Sequence, residues 1–290
     1  MISLLRVLPL FPDYKQKAVT TSYDDGCVGD EKMMEIMKRY GIRGTFNLNS
    51  GYMTGKLSAS DKGRMTPEIM KGRYDNVNFE TAIHFETHIV PDHSPLSYTA
   101  LDVLDDREYL EKLFGCVIRG CAYPFGAYND DVIDMLRRCG IVYARTVRST
   151  HGFALPHKPL ALDPTCHHND PALFELVDKF IGKTPLDHEE PWLFYLWGHA
   201  YEFDNDNNWD RFEEFCKRIS GDDKVWYATN IDIVDYLRAF DRLEYSSYGT
   251  IIKNTSSREV FIKAQVHHPV RKWVQTSIKP GETVNIEKLI

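Results

Sequence analysis

The sequence predicts an α/β fold built around a parallel barrel, with a small appendage of β-strands at its C-terminal end. Residues 18–23 and 44–49 are runs of strand length, and residues 32–40 between them repeat apolar positions with helical period. A strand, a helix and a second strand make the repeating unit of a parallel sheet. Residues 192–199 form a longer apolar run, which is typical of a strand buried on both faces.

The same patterns predict the other elements of the barrel. Strands are predicted at residues 79–83, 117–123 and 224–229, and helices at residues 67–71, 109–114, 130–139, 171–181, 209–219 and 231–243. Beyond residue 243, short strands alternate with polar turns, at residues 250–254, 259–264, 274–278 and 284–286. We therefore divide the chain into a barrel, residues 1–243, and an extension, residues 244–290. The extension is too small to bury its own core and packs on the barrel or on a neighbouring subunit.

Length and composition bound the functional class. The 290 residues suffice for one barrel of about 240 residues with a small appendage, and a hydrophobic content of 43% is that of a globular protein. A net charge of −7 argues against nucleic acids and anionic membranes as partners. The six cysteines have no paired spacing, which favours reduced thiols and a cytoplasmic location.

Residues 1–12 are apolar, but they carry no basic region and no cleavage site of small residues, and Pro9 and Pro12 interrupt them. We predict a leading segment that packs on the barrel. No stretch of the sequence is long and apolar enough to span a membrane.

Two adjacent carboxylates, Asp24 and Asp25, end the first predicted strand before Gly26. Asp and Gly also favour ordinary turns, which is the simpler explanation of this tripeptide on its own. Neighbouring carboxylates repel each other, and that cost falls if one binds a cation while the other acts as a base.

His84 and His88 are four residues apart, so both imidazoles reach the same side of a helical turn. The pair is also compatible with a surface helix face. With one aspartate, the two histidines make a three-ligand set that leaves coordination positions open for water and substrate, as catalytic metal sites do.

Two later segments have features of a site. Pro124 and Gly126 fix a sharp turn, which either links a strand to a helix or aims a backbone N–H into a cavity. His199 ends the buried strand at the mouth of the barrel, as either a structural or a catalytic histidine. Residues 166–168, Cys-His-His, have no fourth metal ligand nearby in the sequence, and we interpret them as a loop near the mouth.

These four segments, in this order, resemble the NodB-type polysaccharide deacetylases, which are carbohydrate esterase family 4. The resemblance rests on residues 21–26, 83–88, 123–126 and 196–199 and covers about residues 15–240. It implies a distorted (β/α) barrel with about seven strands and a divalent metal, usually Zn²⁺, with Co²⁺, Mn²⁺ or Ni²⁺ as alternatives. It also implies hydrolysis of an acetyl group from an amino sugar or a sugar ester.

The resemblance further implies roles for single residues. The metal ligands correspond to Asp25, His84 and His88. Asp24 corresponds to the general base, and His199 to the general acid that protonates the departing amine or alcohol. Phe125 stands where a backbone N–H helps to hold the oxyanion, a function that does not depend on the side chain.

Two departures from the family pattern affect these assignments. Ala122 stands where many members have an arginine that orients the base aspartate. Arg145, at the start of a later strand, is our candidate for that role, and a surface or structural arginine is the alternative. The family's aspartate–tryptophan pair, which tunes the acid histidine, has no clear match. Asp163 is the candidate, and a turn residue is the alternative.

Aromatic side chains near the third and last segments are candidates for stacking on sugar rings, with packing at the rim as the alternative. The candidate substrate-binding residues are Tyr123, Tyr128, Trp197 and Tyr201.

We therefore predict a cytoplasmic, metal-dependent hydrolase that removes acetyl groups from an N- or O-acetylated saccharide, with a soluble oligosaccharide or sugar derivative favoured as substrate. One alternative is a metal-dependent amidohydrolase that acts on a small non-sugar amide. Another is a carbohydrate-binding relative without catalysis, which the presence of a complete ligand, base and acid set disfavours. Assembly into a homo-oligomer is compatible with the sequence.

Overall fold

The computed structural model describes residues 3–58, 63–75, 77–267 and 270–290. The strands within these ranges are β1 (Ser3–Leu10), β2 (Lys17–Asp24), β3 (Gly44–Leu48), β4 (Phe79–Ile83), β5 (Gly120–Ala122), β6 (Tyr143–Arg145), β7 (Cys166–His167), β8 (Trp192–His199), β9 (Val225–Tyr227), β10 (Leu243–Tyr245), β11 (Ile251–Asn254), β12 (Val260–His267), β13 (Arg271–Ile278) and β14 (Thr283–Asn285). The helices are α1 (Gly29–Arg39), α2 (Gly51–Thr54), α3 (Pro67–Arg73), α4 (Leu96–Phe114), α5 (Asp130–Arg138), α6 (Leu173–Gly182), α7 (Ala200–Asn205), α8 (Trp209–Ile219) and α9 (Asn230–Asp241).

The central sheet is parallel throughout. Seven strands follow one another in the order β6–β5–β4–β3–β2–β8–β7, and β9 pairs with the first residues of β2. Helices connect the strands, as parallel pairing requires. The predicted distorted (β/α) barrel, including its seven strands, is confirmed.

The barrel is irregular between β6 and β7. Leu162 bridges to β6, where its N–H donates to the carbonyl of Ala144 at 2.8 Å, and Thr165 donates to the carbonyl of Tyr195 in β8 at the same distance. Pro164, between these two residues, has no N–H to give to a ladder. The chain therefore crosses this part of the wall as an extended segment with isolated bridges instead of a full strand.

The largest difference from the predicted elements is α4, which begins at Leu96 although residues 109–114 alone were predicted. Its buried face includes Thr99, Asp102 and Asp106, while Leu101 and Leu104 are exposed. The apolar residues therefore do not follow the helical period over its first three turns, and the sequence pattern misses them.

The C-terminal part contains two antiparallel sheets, β1–β12–β13 and β10–β11–β14. The leading segment was predicted to pack on the barrel, but it forms β1 and pairs with β12 from Ser3 opposite His267 to Leu10 opposite Phe261. Leu4 and Val7 of β1 pack against a separate apolar cluster formed by residues of α9 and the C-terminal strands. The hydroxyl of Tyr236 in α9 donates to the carbonyl of Leu10 and so ties this cluster to the barrel.

All six cysteines are free thiols. Among the helices of the described ranges, none has the length and apolarity needed to cross a bilayer.

Candidate active site

The first strand of the barrel brings two carboxylates to its carboxyl end, the end at which the loops of such barrels form active sites. Asp24 is the last residue of β2, and Asp25 and Gly26 follow with positive φ angles of 82° and 61°. The N–H of Asp25 donates to the carbonyl of Asn47 at 2.9 Å, which fixes this turn against β3.

His84 and His88 come together through a turn and not through a helix, so the predicted helical face is wrong. His84 follows β4 directly, and both Phe85 and His88 have positive φ angles, of 63° and 51°. The buried Asn49 side chain donates to the carbonyl of Phe85 at 2.7 Å and supports this strained backbone. The turn folds His88 back, so that the two imidazole centres are 4.8 Å apart.

Asp25, His84 and His88 form a cluster that fits a divalent metal ion. One ligand atom from each residue lies within 4.8 Å of the others, and Nε2 of His84 and of His88 lie 3.9 and 4.0 Å from Oδ1 of Asp25. Nδ1 of His84 is 2.8 Å from the carbonyl oxygen of Ala122. A carbonyl can only accept, so the His84 proton is on Nδ1 and the lone pair on Nε2 faces the cluster, as metal-ligating histidines require.

Asp24 is buried beside this cluster and is held by Arg145 and Asn47. Arg145 donates through Nη2 to Oδ2 of Asp24, and Asn47 donates to Oδ1 at 2.8 Å. Burial opposes ionisation of Asp24, but the charge of Arg145, with a smaller effect of His84, outweighs it and lowers the pKa of Asp24 to about 2.

Arg145 is fully buried and is therefore not a surface arginine. Besides Asp24 it donates to Oγ of Ser22 at 3.2 Å, and its guanidinium lies 4.4 Å from the centre of the Trp197 ring. In the pairing of β5 with β6, Arg145 is the register partner of Ala122. The arginine missing at residue 122 thus has a counterpart at the adjacent position of the next strand.

His199 ends β8 on the other side of Asp24, with its Nε2 3.9 Å from Oδ2 of Asp24. Its Nδ1 faces the carboxylate of Glu202, 3.4 Å from Oε1. Burial lowers the pKa of His199, but contact with Glu202 and the charge of Asp24 outweigh this effect, so the net shift is upward. Asp163, our candidate for tuning His199, instead binds Thr146 and Arg148.

The turn at residues 124–126 lies against the metal cluster. Phe125 has a φ of 58°, its side chain is 64% exposed, and its ring centre is 4.6 Å from that of His88. An exposed aromatic ring in a strained turn contributes little to the core. The strained backbone of Phe125 therefore fits a role in holding the turn beside the metal cluster.

A cleft of about 660 Å³ opens over these groups. Of the candidate substrate-binding residues, Trp197 and Tyr201 line the cleft. Tyr123 also borders it but is fully buried, with its hydroxyl donating to the carbonyl of Leu160 at 2.8 Å. Tyr128 stacks on Tyr123 at 4.8 Å and does not line the cleft.

The cleft contains three residues that the sequence patterns did not single out, namely Tyr52, Arg64 and Val147. Arg64 donates to the carbonyl of Asp25 at 2.7 Å and stacks over Tyr52. Tyr52 lies in the short helix α2, and Arg64 and Val147 lie outside the helices and strands. None of the three belongs to a sequence motif, so only the fold brings them to the site. Glu202 was also missed, although its position three residues after His199 is the spacing of a helix capping box.

The polysaccharide deacetylase family model matches residues 12–144 of this chain. The matched range contains Asp24, Asp25, His84, His88 and Phe125, whereas His199 lies beyond it. No curated protein sequence matches the chain significantly.

Several solved structures are similar. The Streptococcus pyogenes deacetylase PplD is 22% identical, with a TM-score of 0.44; the match covers 49% of this chain and 61% of that one. A proposed polysaccharide deacetylase from Mycobacterium smegmatis is 18% identical, with a TM-score of 0.57, and 82% of this chain and 96% of that one are covered. A Bacillus anthracis pseudoenzyme of the CE4 family is 12% identical, with a TM-score of 0.48 and coverage of 76% and 66%. The Mycobacterium structure supports the shared fold. Residues 12–144, which carry the first three motifs, match the polysaccharide deacetylase family model, in agreement with the resemblance seen in the sequence.

Proposed function

We propose that this protein is a metal-dependent hydrolase that removes acetyl groups from an N- or O-acetylated saccharide. The observation that carries the proposal is the arrangement around Asp24. This ionised carboxylate lies 3.8 Å from Nε2 of His84, in the metal-ligand cluster, and 3.9 Å from Nε2 of His199. A base, an acid and a set of metal ligands thus meet at one end of the barrel.

Asp25, His84 and His88 would hold the metal. A mixed set of one carboxylate and two imidazoles suits Zn²⁺, and Co²⁺, Mn²⁺ and Ni²⁺ use the same ligands. A divalent ion bound there would supply Lewis acidity and would lower the pKa of a bound water to roughly 7. Burial keeps the pKa of His88 low, at about 4, so this imidazole is neutral and its lone pair is available at neutral pH.

Asp24 takes the proton from the attacking water. Its low pKa makes it a weak base, which suffices because the water is itself acidic. Arg145 and Asn47 hold the carboxylate in place, so the catalytic oxygen is oriented before substrate binds.

His199 completes the reaction as the general acid. The water oxygen forms a bond to the acetyl carbon, and the backbone N–H of Phe125 stabilises the negative charge on the carbonyl oxygen. When the C–N or C–O bond breaks, His199 gives a proton to the leaving nitrogen or oxygen. The products are acetate and the free amine or alcohol.

The cleft supports a saccharide as the substrate. Tyr201 lines the cleft beside the polar groups of the site, and the buried Trp197 borders it, a combination that suits sugar rings. The unpaired cysteines support a reducing compartment and hence a soluble oligosaccharide in the cytoplasm.

Acetate release from acetylated sugars and small amides tests the proposal. Protein stripped with a chelator is assayed with and without added Zn²⁺, Co²⁺ or Mn²⁺. We expect metal-restored acetate release from a sugar. Turnover of a non-sugar amide alone would replace this function with that of an amidohydrolase, and silence of metal-loaded protein on all substrates would favour a binding protein.

A further inference from the structure

A second cluster of polar side chains lies behind His199 and is not part of the metal site. Three imidazoles surround the carboxylate of Glu202. Nε2 of His167 and of His168 lie 3.1 and 3.0 Å from Oε2, and Nδ1 of His199 lies 3.4 Å from Oε1. His168 is almost fully buried, whereas His167 is about one-fifth exposed.

The fold builds this cluster from two neighbouring strands. His167 ends β7 and pairs in register with Trp197 of β8, which places residues 167–168 beside the end of β8. His199 is the N-cap residue of α7, and Glu202, three residues later, accepts the backbone N–H of His199 at 3.4 Å. The carboxylate therefore accepts the backbone N–H of His199 and lies 3.4 Å from Nδ1 of the same residue.

His167, His168 and Glu202 have the composition of a metal site, but the hydrogen bonds exclude His167 as a ligand. The backbone N–H of Asn169 donates to Nδ1 of His167 at 3.1 Å. Nδ1 is therefore the acceptor, and the proton of the neutral ring is on Nε2, which faces Glu202. A protonated nitrogen cannot bind a metal ion, so this ring acts as a donor to the carboxylate.

His168 is fixed by packing. Its ring stacks on Tyr23, with centres 5.8 Å apart, and packs at a tilt against Phe203, with centres 4.1 Å apart. A Cβ atom at Gly198 would come within 2.0 Å of Nδ1 of His168, so glycine at this position is what makes room for the ring. The immobile ring holds its Nε2 against Glu202.

We propose that Glu202, clamped by His167 and His168, is the residue that positions His199. The inference rests on the proposed function, in which His199 is the general acid. Glu202 accepts the Nδ1 proton of His199, and this contact directs Nε2 toward Asp24 and the cleft. His199 then donates the Nε2 proton to the leaving group and retains the Nδ1 proton for Glu202. Glu202 is a positioning residue and does not touch the substrate.

The test compares a substrate that needs an acid with one that does not. An N-acetylated sugar leaves as a basic amine and requires a proton, whereas the phenolate of 4-nitrophenyl acetate leaves without one. For Glu202→Gln we expect kcat on the N-acetyl sugar to fall by about 100-fold with little change in KM, and the rate on the aryl ester to change by less than about 3-fold. Asp204→Asn, on the same helix but bonded to Trp209, serves as the matched control and should leave both rates unchanged.

His167→Gln is the second variant, because His167 is partly exposed and its replacement perturbs the core less than a change at Glu202. We expect a smaller loss in the same direction, greater for the amide than for the aryl ester. Equal losses on both substrates, or no loss in either variant, would overturn the inference. So would a second equivalent of metal in the wild type that Glu202→Gln loses. If the wild type itself releases no acetate from any sugar, the proposed function is wrong. This result differs from the patterns of loss in the variants that would contradict the positioning role of Glu202.

Discussion

At the scale of single residues, the charge on Asp24 depends on Arg145, which lies one strand away from residue 122, where the resemblance led us to expect an arginine. Residues 122 and 145 are register partners on adjacent parallel strands, so side chains at either position leave the sheet side by side. The buried guanidinium of Arg145 therefore reaches Asp24 from β6 as an arginine at residue 122 would from β5. The ion pair with Asp24 is therefore present in this chain, with its arginine on β6 and not on β5.

Replacing Arg145 by methionine tests this dependence. Without the guanidinium, burial dominates and raises the pKa of Asp24, because the buried carboxylate has lost its solvation and its positively charged partner. Asp24 acts as a base only when it is deprotonated. The acid limb of the pH–rate profile therefore moves to higher pH in the variant. We expect kcat at neutral pH to fall by about 100-fold. A pH–rate profile of the variant with wild-type metal content measures both effects, and an unchanged acid limb would contradict the assignment.

Replacement of Asp24 and replacement of His84 should have different effects on activity and on metal binding. Asp24→Ala deletes the base but none of the three ligands, so we expect kcat to fall at least about 100-fold while bound metal stays at the wild-type level. His84→Ala removes a ligand and should lose both metal and activity. Metal content after dialysis, read by mass spectrometry beside acetate release, separates the two. Wild-type activity in Asp24→Ala would exclude its role as the base.

At the scale of elements, turns with positive φ angles carry the site. Asp25, Phe85, His88 and Phe125 all have left-handed backbone, and each lies in or beside the metal cluster. Strain of this kind costs of order 1–3 kcal/mol per residue and persists only where surrounding contacts enforce it. The rigid parallel strands thus provide the frame, and short strained turns at their carboxyl ends aim the ligands.

Gly126 is the matched probe of one such turn. Its φ is 68°, and an added Cβ would lie 2.4 Å from Cγ2 of Val147, which lines the cleft. Gly115 has nearly the same φ, 67°, but open space around it. We expect Gly115→Ala to cost about 1 kcal/mol of folding free energy and to leave activity intact, and Gly126→Ala to cost more than about 2 kcal/mol and to lower kcat. Thermal unfolding and acetate release check both, and equal effects of the two variants would argue against a role for the turn.

The sequence predicts those elements whose signal is local. β8 is a continuous apolar run and β2 is a run of strand-forming residues, and their observed ends at His199 and Asp24 coincide with the predicted motifs. The turn between His84 and His88 was mistaken for a helix, because its conformation is imposed by the distant Asn49 side chain and has no local signature. Glu202 was missed for the same reason, since its partners His167 and His168 come from another strand.

At the scale of the whole molecule, the leading strand β1 forms one antiparallel sheet with the C-terminal strands β12 and β13. β12 has β1 on one side and β13 on the other. Its buried residues Val260, Ile262, Ala264 and Val266 belong to the apolar cluster that the C-terminal strands share with α9. We propose that residues 244–290 have a structural role, with β1 as part of the same unit. This places the first strand on the far side of the division that we predicted at residue 243.

Removal of residues 244–290 tests the structural role. The truncation exposes β1 and the apolar face of α9, so we expect the unfolding midpoint to fall by more than about 5 °C or the protein to aggregate. Removal of residues 289–290 alone, both exposed, is the control and should change neither midpoint nor activity. A stable and fully active barrel without residues 244–290 would show that the extension has another purpose.

The pairing of β1 with β12 also has a consequence for the order of folding. Ser3 pairs with His267 and Leu10 with Phe261, so the partners are about 250 residues apart along the chain. At synthesis rates of roughly 5–20 residues per second, β1 leaves the ribosome roughly 10–50 s before its partner exists. During that interval its backbone donors and acceptors are an open edge for intermolecular pairing. We therefore expect closure of this contact between distant segments to be a late and slow step in folding.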